Sequence, residues 1–168
     1  IENNTGDVTF RNNRAGSKAG AIYSGPFPNE IGLSIRNNGN VLFEKNAVVD
    51  DSGNYILRSY QHNDDFRGGD VLLSAADGKY IEFRDSIAGD VKIDVNEAYN
   101  GVEQTGDVVF TGYYTEKHLN ELLQADGVNR QATADEINAS RQSAIGGKVV
   151  VHGGRLRVED GAVLSTSG

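Results

Sequence analysis

Cysteine is missing from all 168 residues. That absence removes disulfides, thiolate metal sites and cysteine nucleophiles together, leaving stability to side-chain burial and backbone hydrogen bonds. Methionine is missing too, and the chain opens on Ile1, which reads as a fragment or processed product with any signal peptide out of view. No apolar run approaches the roughly 18 residues of a membrane-spanning helix. Basic residues are in the minority, 16 Lys and Arg against 24 Asp and Glu, for a net charge of −8. A surface that tracks phosphates needs clustered cations. Here they are scattered, so neither nucleic acid nor an anionic membrane surface is an expected partner.

Proline is scarce at 2 residues, whereas Gly is heavily used at 21 and Asn is frequent. Gly and Asn tolerate the positive φ of tight turns, so this balance predicts many turns between short strands. Hydrophobic residues make up 38% of the chain, enough to bury a core, and the length suits a single domain over 1–168.

Internal repetition organises the chain. Gly6-Asp7-Val8-Thr9-Phe10-Arg11-Asn12-Asn13 aligns with Gly39-Asn40-Val41-Leu42-Phe43-Glu44-Lys45-Asn46, displaced by 33 residues. The shared pattern is G-x-V-x-F-x-x-N. A weaker copy runs Tyr80-Ile81-Glu82-Phe83-Arg84-Asp85-Ser86, and a fourth runs Gly106-Asp107-Val108-Val109-Phe110. Residues two apart on a strand share a face, so Val8, Phe10, Val41, Phe43, Ile81, Phe83, Val108 and Phe110 are predicted to line one continuous core. Asn13 and Asn46 are expected at turns, where their amides can bond backbone or stack into a ladder.

Further short strands are expected at 21–23, 33–35, 55–57, 71–73, 91–95, 149–151, 156–158 and 162–164. Evenly spaced strands also suit a sandwich or barrel, but the same strand recurring in register favours a solenoid of about four three-strand coils. One segment departs from this. From Thr115 to about Arg141 the pattern is helical, with Leu119, Leu122 and Leu123 on one face and Gly127 as its stop. Thr133-Ala134-Asp135-Glu136 then has capping-box spacing. The segment reads as an insertion, either an arm that covers the stacked strands or a recognition arm.

The F-x-x-N copies, with Ala19-Gly20-Ala21-Ile22 close behind the first, resemble the polymorphic outer membrane protein repeats of autotransporter passengers. In that family F-x-x-N accompanies G-G-A-[IL]; here Ala19 replaces the first Gly, and only Gly53 survives in the second copy. The order of the later segments 81–87, 106–112 and 154–162 is similar to the downstream part of such passengers. The resemblance implies a right-handed parallel β-helix, export through the bacterial outer membrane by a C-terminal β-barrel outside this chain, and display or adhesion at the cell surface or after secretion. Host glycan or protein is the partner it implies, and no cofactor is expected.

Enzymatic readings are weaker. Asp51-Ser52-Gly53, preceded by Val48-Val49, matches the D-[ST]-G loop of aspartic proteases, whose two copies share one proton. Yet Gly53 follows Gly20 by 33 residues, which reads as a solenoid turn. Asp64, Asp65, Asp70, Asp85, Asp90 and Asp94 could serve a β-helical carbohydrate-active enzyme or calcium, but paired carboxylates need a set separation, and Gly68-Gly69-Asp70 is only a fragment of the calcium nonapeptide. His62, His118 and His152 show no metal-ligand spacing, so no metal site is expected. No Ser sits in a nucleophile elbow. Among the tyrosines (Tyr55, Tyr60, Tyr80, Tyr99, Tyr113, Tyr114), the pair Tyr113-Tyr114 at the mouth of the insertion, with His118, is the candidate binding patch. The leading expectation is a non-catalytic surface passenger for adhesion or display. The rivals are a secreted hydrolase and a structural stalk. Open strand edges at the ends of a solenoid would also favour an end-to-end homodimer.

Overall fold

The computed structural model describes residues 1–24, 30–54, 65–84, 87–89, 92–111, 115–125, 127–140, 142–145, 148–160 and 162–165. The strand expected at 55–57 lies outside them. Along the chain come β1 (Val8–Arg11), β2 (Arg14–Ala15), β3 (Ile22–Tyr23) and β4 (Ile31–Arg36). Next are β5 (Val41–Glu44), β6 (Ala47–Val48), β7 (Phe66–Gly68) and β8 (Asp70–Ser74). A third group holds β9 (Tyr80–Phe83), β10 (Ile87–Gly89) and β11 (Lys92–Val95). A fourth holds β12 (Asp107–Thr111), the helices α1 (Thr115–Ala125) and α2 (Ala134–Ser140), β13 (Gln142–Ile145) and β14 (Lys148–Val151). β15 (Arg155–Glu159) and β16 (Val163–Ser165) follow.

The fold is all-β with parallel sheets. One sheet has the order β1-β5-β9-β12-β15, a second β3-β7-β10-β13-β16 and a third β4-β8-β11-β14, with β2 and β6 forming a small fourth. The chain therefore visits the three main sheets in the same cyclic order. Among the described residues no sheet closes on itself. β7, β10 and β13 escaped the sequence reading because their three or four residues carry little alternation.

The first sheet shows why the repeat has its pattern. Val8, Val41, Ile81, Val108 and Leu156 stand in one row across the strands, and Phe10, Phe43, Phe83, Phe110 and Val158 in the next. The phenyl rings stack: centroids are 4.6 Å apart from Phe10 to Phe43 and from Phe43 to Phe83, and 5.5 Å from Phe83 to Phe110. Strand spacing of about 4.8 Å sets that distance, so in-register identity converts directly into ring stacking. Val41, Phe43, Ile81, Phe83, Val108 and Phe110 are buried, joined by Phe66, Val71, Leu73, Ile87 and Ile93 from the other sheets. Val8 and Phe10 only partly meet expectation. They pack against this core but stay half-buried, since the described strands cover them from one side alone.

Two of the repeat glycines, Gly39 and Gly106, have a steric reason, whereas Gly6 faces open space. A Cβ on Gly39 would lie 2.5 Å from the Gly6 carbonyl oxygen, and one on Gly106 would lie 2.3 Å from that of Ala76. Any larger residue would push neighbouring strands apart. The repeat asparagines behave differently from a simple turn residue. Positive φ falls one position earlier, on Asn12 (59°) and Lys45 (56°). Asn46 is instead fully buried. Its Oδ1 accepts from the Asn13 backbone N–H (3.1 Å) and Asn13 Nδ2 (2.9 Å), and its Nδ2 donates to the Phe10 carbonyl (3.1 Å) and Asp65 Oδ1 (2.8 Å). The expected ladder is present between these two residues.

The insertion forms as its caps predict. Gly127 takes φ +77° after α1. The Thr133 N–H donates to Glu136 Oε2 (2.8 Å), and the Glu136 N–H donates to Thr133 Oγ1 (3.2 Å), a reciprocal capping box. Leu119 and Leu123 bury themselves with Ala47 of β6, and Val128, Ala132 and Ile137 pack around them. The arm thus covers the β2–β6 side.

Phe43→Ala is expected to destabilise the chain by about 3–5 kcal/mol, the range for a large buried aromatic, read from urea-induced unfolding. Phe10→Ala should cost clearly less, because Phe10 is half-buried and, among the described residues, stacks on Phe43 alone.

Candidate functional site

Most residues singled out from the sequence do not converge. Asp51 is exposed in a turn organised by its neighbour: Asp50 Oδ1 accepts from the N–H groups of Ser52 (2.8 Å) and Asn54 (2.9 Å), and Gly53 supplies φ +82°. The Asn54 backbone and side-chain hydrogen bonds hold the Asp50 carboxyl below its usual range. Tyr55, Tyr60, His62, Asp64, Asp85, Asp90, Tyr113 and Tyr114 lie outside the described residues. So does the side chain of His118, whose backbone belongs to α1. Asp65 is buried against Asn46, and Asp70 Oδ1 accepts the Lys92 N–H at 3.0 Å.

Asp94 and His152, which sequence spacing kept apart, come together. Pairing of β11 with β14 sets Asp94 opposite Val150 and Val95 opposite Val151, which carries His152 to the strand end, where its N–H donates to the Val95 carbonyl at 2.9 Å. His152 Nε2 lies 2.7 Å from Asp94 Oδ1, and Lys92 Nζ lies 2.9 Å from Asp94 Oδ2. Glu97 stands beside them: the ligand atoms of Asp94, Glu97 and His152 all lie within 4.8 Å of one another. Asp94 is 4% exposed, whereas Glu97 and His152 are exposed. Burial works to raise the Asp94 carboxyl, but the hydrogen bonds from His152 and Lys92 outweigh it and leave the group below its usual range. The same contact raises Lys92.

This cluster is poorly arranged for acid–base cleavage. Asp94 and Glu97 sit three residues apart at one strand end rather than across a groove, and both Asp94 oxygens are engaged. The nearby Ser74 Oγ donates to the Glu97 carbonyl at 3.0 Å, so it is not held by the imidazole as a nucleophile would be.

A second feature is a groove of about 350 Å³ lined by Lys79, Tyr80, Thr105, Asp107, Arg155 and Arg157. Arg155 grips Asp107 through two hydrogen bonds of 2.9 and 2.8 Å, which hold the Asp107 carboxyl below its usual range. Arg157 approaches the same carboxylate at 3.4 Å. Lys79, Arg155 and Arg157 line the groove beside Asp107, and Arg157 Nη1 also donates to Glu159 Oε1 at 2.8 Å. In-register pairing accounts for the second grouping, since Asp107 stands opposite Arg155, whereas Asp94 stands opposite Val150, two residues before His152.

No protein-family model matches the chain, and no curated protein and no solved structure matches it.

The lowered Asp94 pKa fixes the sign of a pH effect. A carboxyl whose folded value lies below its unfolded value contributes stability above the unfolded value, and that contribution disappears as pH falls through the folded one. The stability advantage of the parent chain over Asp94→Asn should therefore be full near neutrality and shrink between about pH 5 and pH 2. Urea midpoints of both proteins across that window check it; a constant difference would exclude the ion-paired carboxylate.

Proposed function

We propose that the chain is part of a right-handed parallel β-helix of about four coils, and that it serves as a non-catalytic, surface-exposed passenger segment in adhesion or display. The observation that carries this reading is the stacking of each F-x-x-N copy on the next. Phe10 lies on Phe43 and Asn13 bonds Asn46, at the 33-residue displacement that marks the repeat. The cyclic visiting order of the three sheets supports the same reading. Parallel crossovers within a sheet are right-handed in about 98% of cases, which supports the hand.

In this reading the surface presents side chains and catalyses nothing. Outward charges are largely matched between neighbouring strands, as where Glu44 carries Arg11 on one oxygen and Arg84 on the other. The groove at Tyr80 is where an approaching host glycan or protein meets an aromatic ring together with cations. Export would use a β-barrel outside these 168 residues. No helix among the described residues is long and apolar enough to cross a membrane.

Two experiments test the proposal. The purified chain should bind a subset of host glycans or matrix proteins on an array. Replacing 115–141 by a short Gly-Ser link should lower the melting temperature by uncovering Ala47, yet preserve cooperative unfolding and array binding. Binding lost with folding kept would move recognition to the helical arm, and no binding by either protein would leave only a stalk. Against a panel of peptide substrates, the parent chain and Asp51→Asn should be equally inert; cleavage abolished by the substitution would make the chain a protease.

A further inference from the structure

We propose that Asp94, Glu97 and His152 bind a divalent transition ion of the zinc(II) type, clasping β11 to the residue that follows β14. The donor set is one imidazole and two carboxylates, which suits zinc better than calcium, an ion that takes six to eight oxygens. Zinc ligands lie about 2.0–2.2 Å from the ion, so two of them on a tetrahedral centre stand about 3.3 Å apart. The three donor atoms already lie within 4.8 Å of one another. His152 Nε2 and Asp94 Oδ1, now 2.7 Å apart, need separate by only about half an ångström for an ion to stand between them. A water would complete the fourth position.

Preorganisation comes from the sheet. Four in-register pairs from Lys92–Lys148 to Val95–Val151 hold the two strands side by side, and the bond from the His152 N–H to the Val95 carbonyl extends this to the ligand itself. The Ser74 hydroxyl anchors the Glu97 backbone, while the Glu97 carboxylate makes no ion pair among the described residues and is exposed. Lys92 opposes the ion by charge, but it occupies Asp94 Oδ2 and leaves Oδ1 facing the imidazole. Between Asp94 and His152 the chain runs 58 residues, including both helices. A bound ion would close that loop in a protein that has no cysteine to do so.

The test is titration of the purified chain with zinc chloride against a chromophoric chelator, alongside thermal unfolding. One equivalent should bind, and at about a hundredfold excess over the dissociation constant the melting temperature should rise by about 5 °C or more. His152→Ala should weaken binding at least tenfold, Glu97→Gln should weaken it less, and Lys92→Met should tighten it. Each variant is first shown by its unfolding curve to be folded without metal. Should His152→Ala not fold, the double variant His62→Gln/His118→Gln decides: with His152 as its one histidine it should bind zinc as the parent does. Loss of binding in the double variant, undiminished binding in His152→Ala, or no one-to-one binding by the parent overturns the proposal.

Discussion

Parallel, in-register pairing is the constraint on which the rest of this structure depends. Once Val8 pairs with Val41 and Phe10 with Phe43, every later strand of that sheet must offer a side chain that stacks on the one before it. The consequences follow in order. Inward positions accept only what stacks in a confined interior, hence four Phe rings in a file. Positions where backbones approach most closely accept only Gly, as at Gly39 and Gly106. Positions just past the repeat strands accept a side chain that can bond both its own copy and the neighbouring one. Asn46 does this with four hydrogen bonds while fully buried, a place where an unsatisfied amide would cost about 1–3 kcal/mol.

The same pairing writes the surface. Outward residues also stand on their counterparts, so like charges in one row repel and opposite charges pair. Arg11, Glu44 and Arg84 alternate in sign across three strands, and Asp107 sits between Arg155 and Arg157. Such pairs on an exposed face contribute little stability individually. Their larger effect is on register, because a slip by one strand position would set like against like and turn the Phe file toward solvent.

Variation is carried by the connections. The step from one repeat strand to its partner is 33 residues between β1 and β5, 40 between β5 and β9, and 48 where the helical arm intervenes. Loop closure costs grow only slowly with length, so such insertions leave the stacked strands intact. The arm shows how an insertion is accommodated: it brings its own capping box and its own small apolar cluster, and it spends Leu119 and Leu123 on covering Ala47. Groups that can do chemistry collect at these connections as well. His152 follows β14, Glu97 follows β11, and the groove at Tyr80 opens where Thr105 and Gly106 lead into β12.

The amino-acid order alone was enough for the repeating strand, the face that Val and Phe present, the helix that Gly127 ends and the capping box that starts the next. Each of these depends on residues within a few positions of one another, where spacing along the chain equals geometry in space. Folding is what brings Asp94 to His152 and Asp107 to Arg155, because those meetings depend on how much chain is looped out between strands. It also decided that Asn46 is buried rather than spent on a turn, and that Lys45 takes the left-handed corner in its place. A local pattern can say that the chain must turn near Asn46; which residue bends and which reaches inward is fixed by the strand stacked above and below.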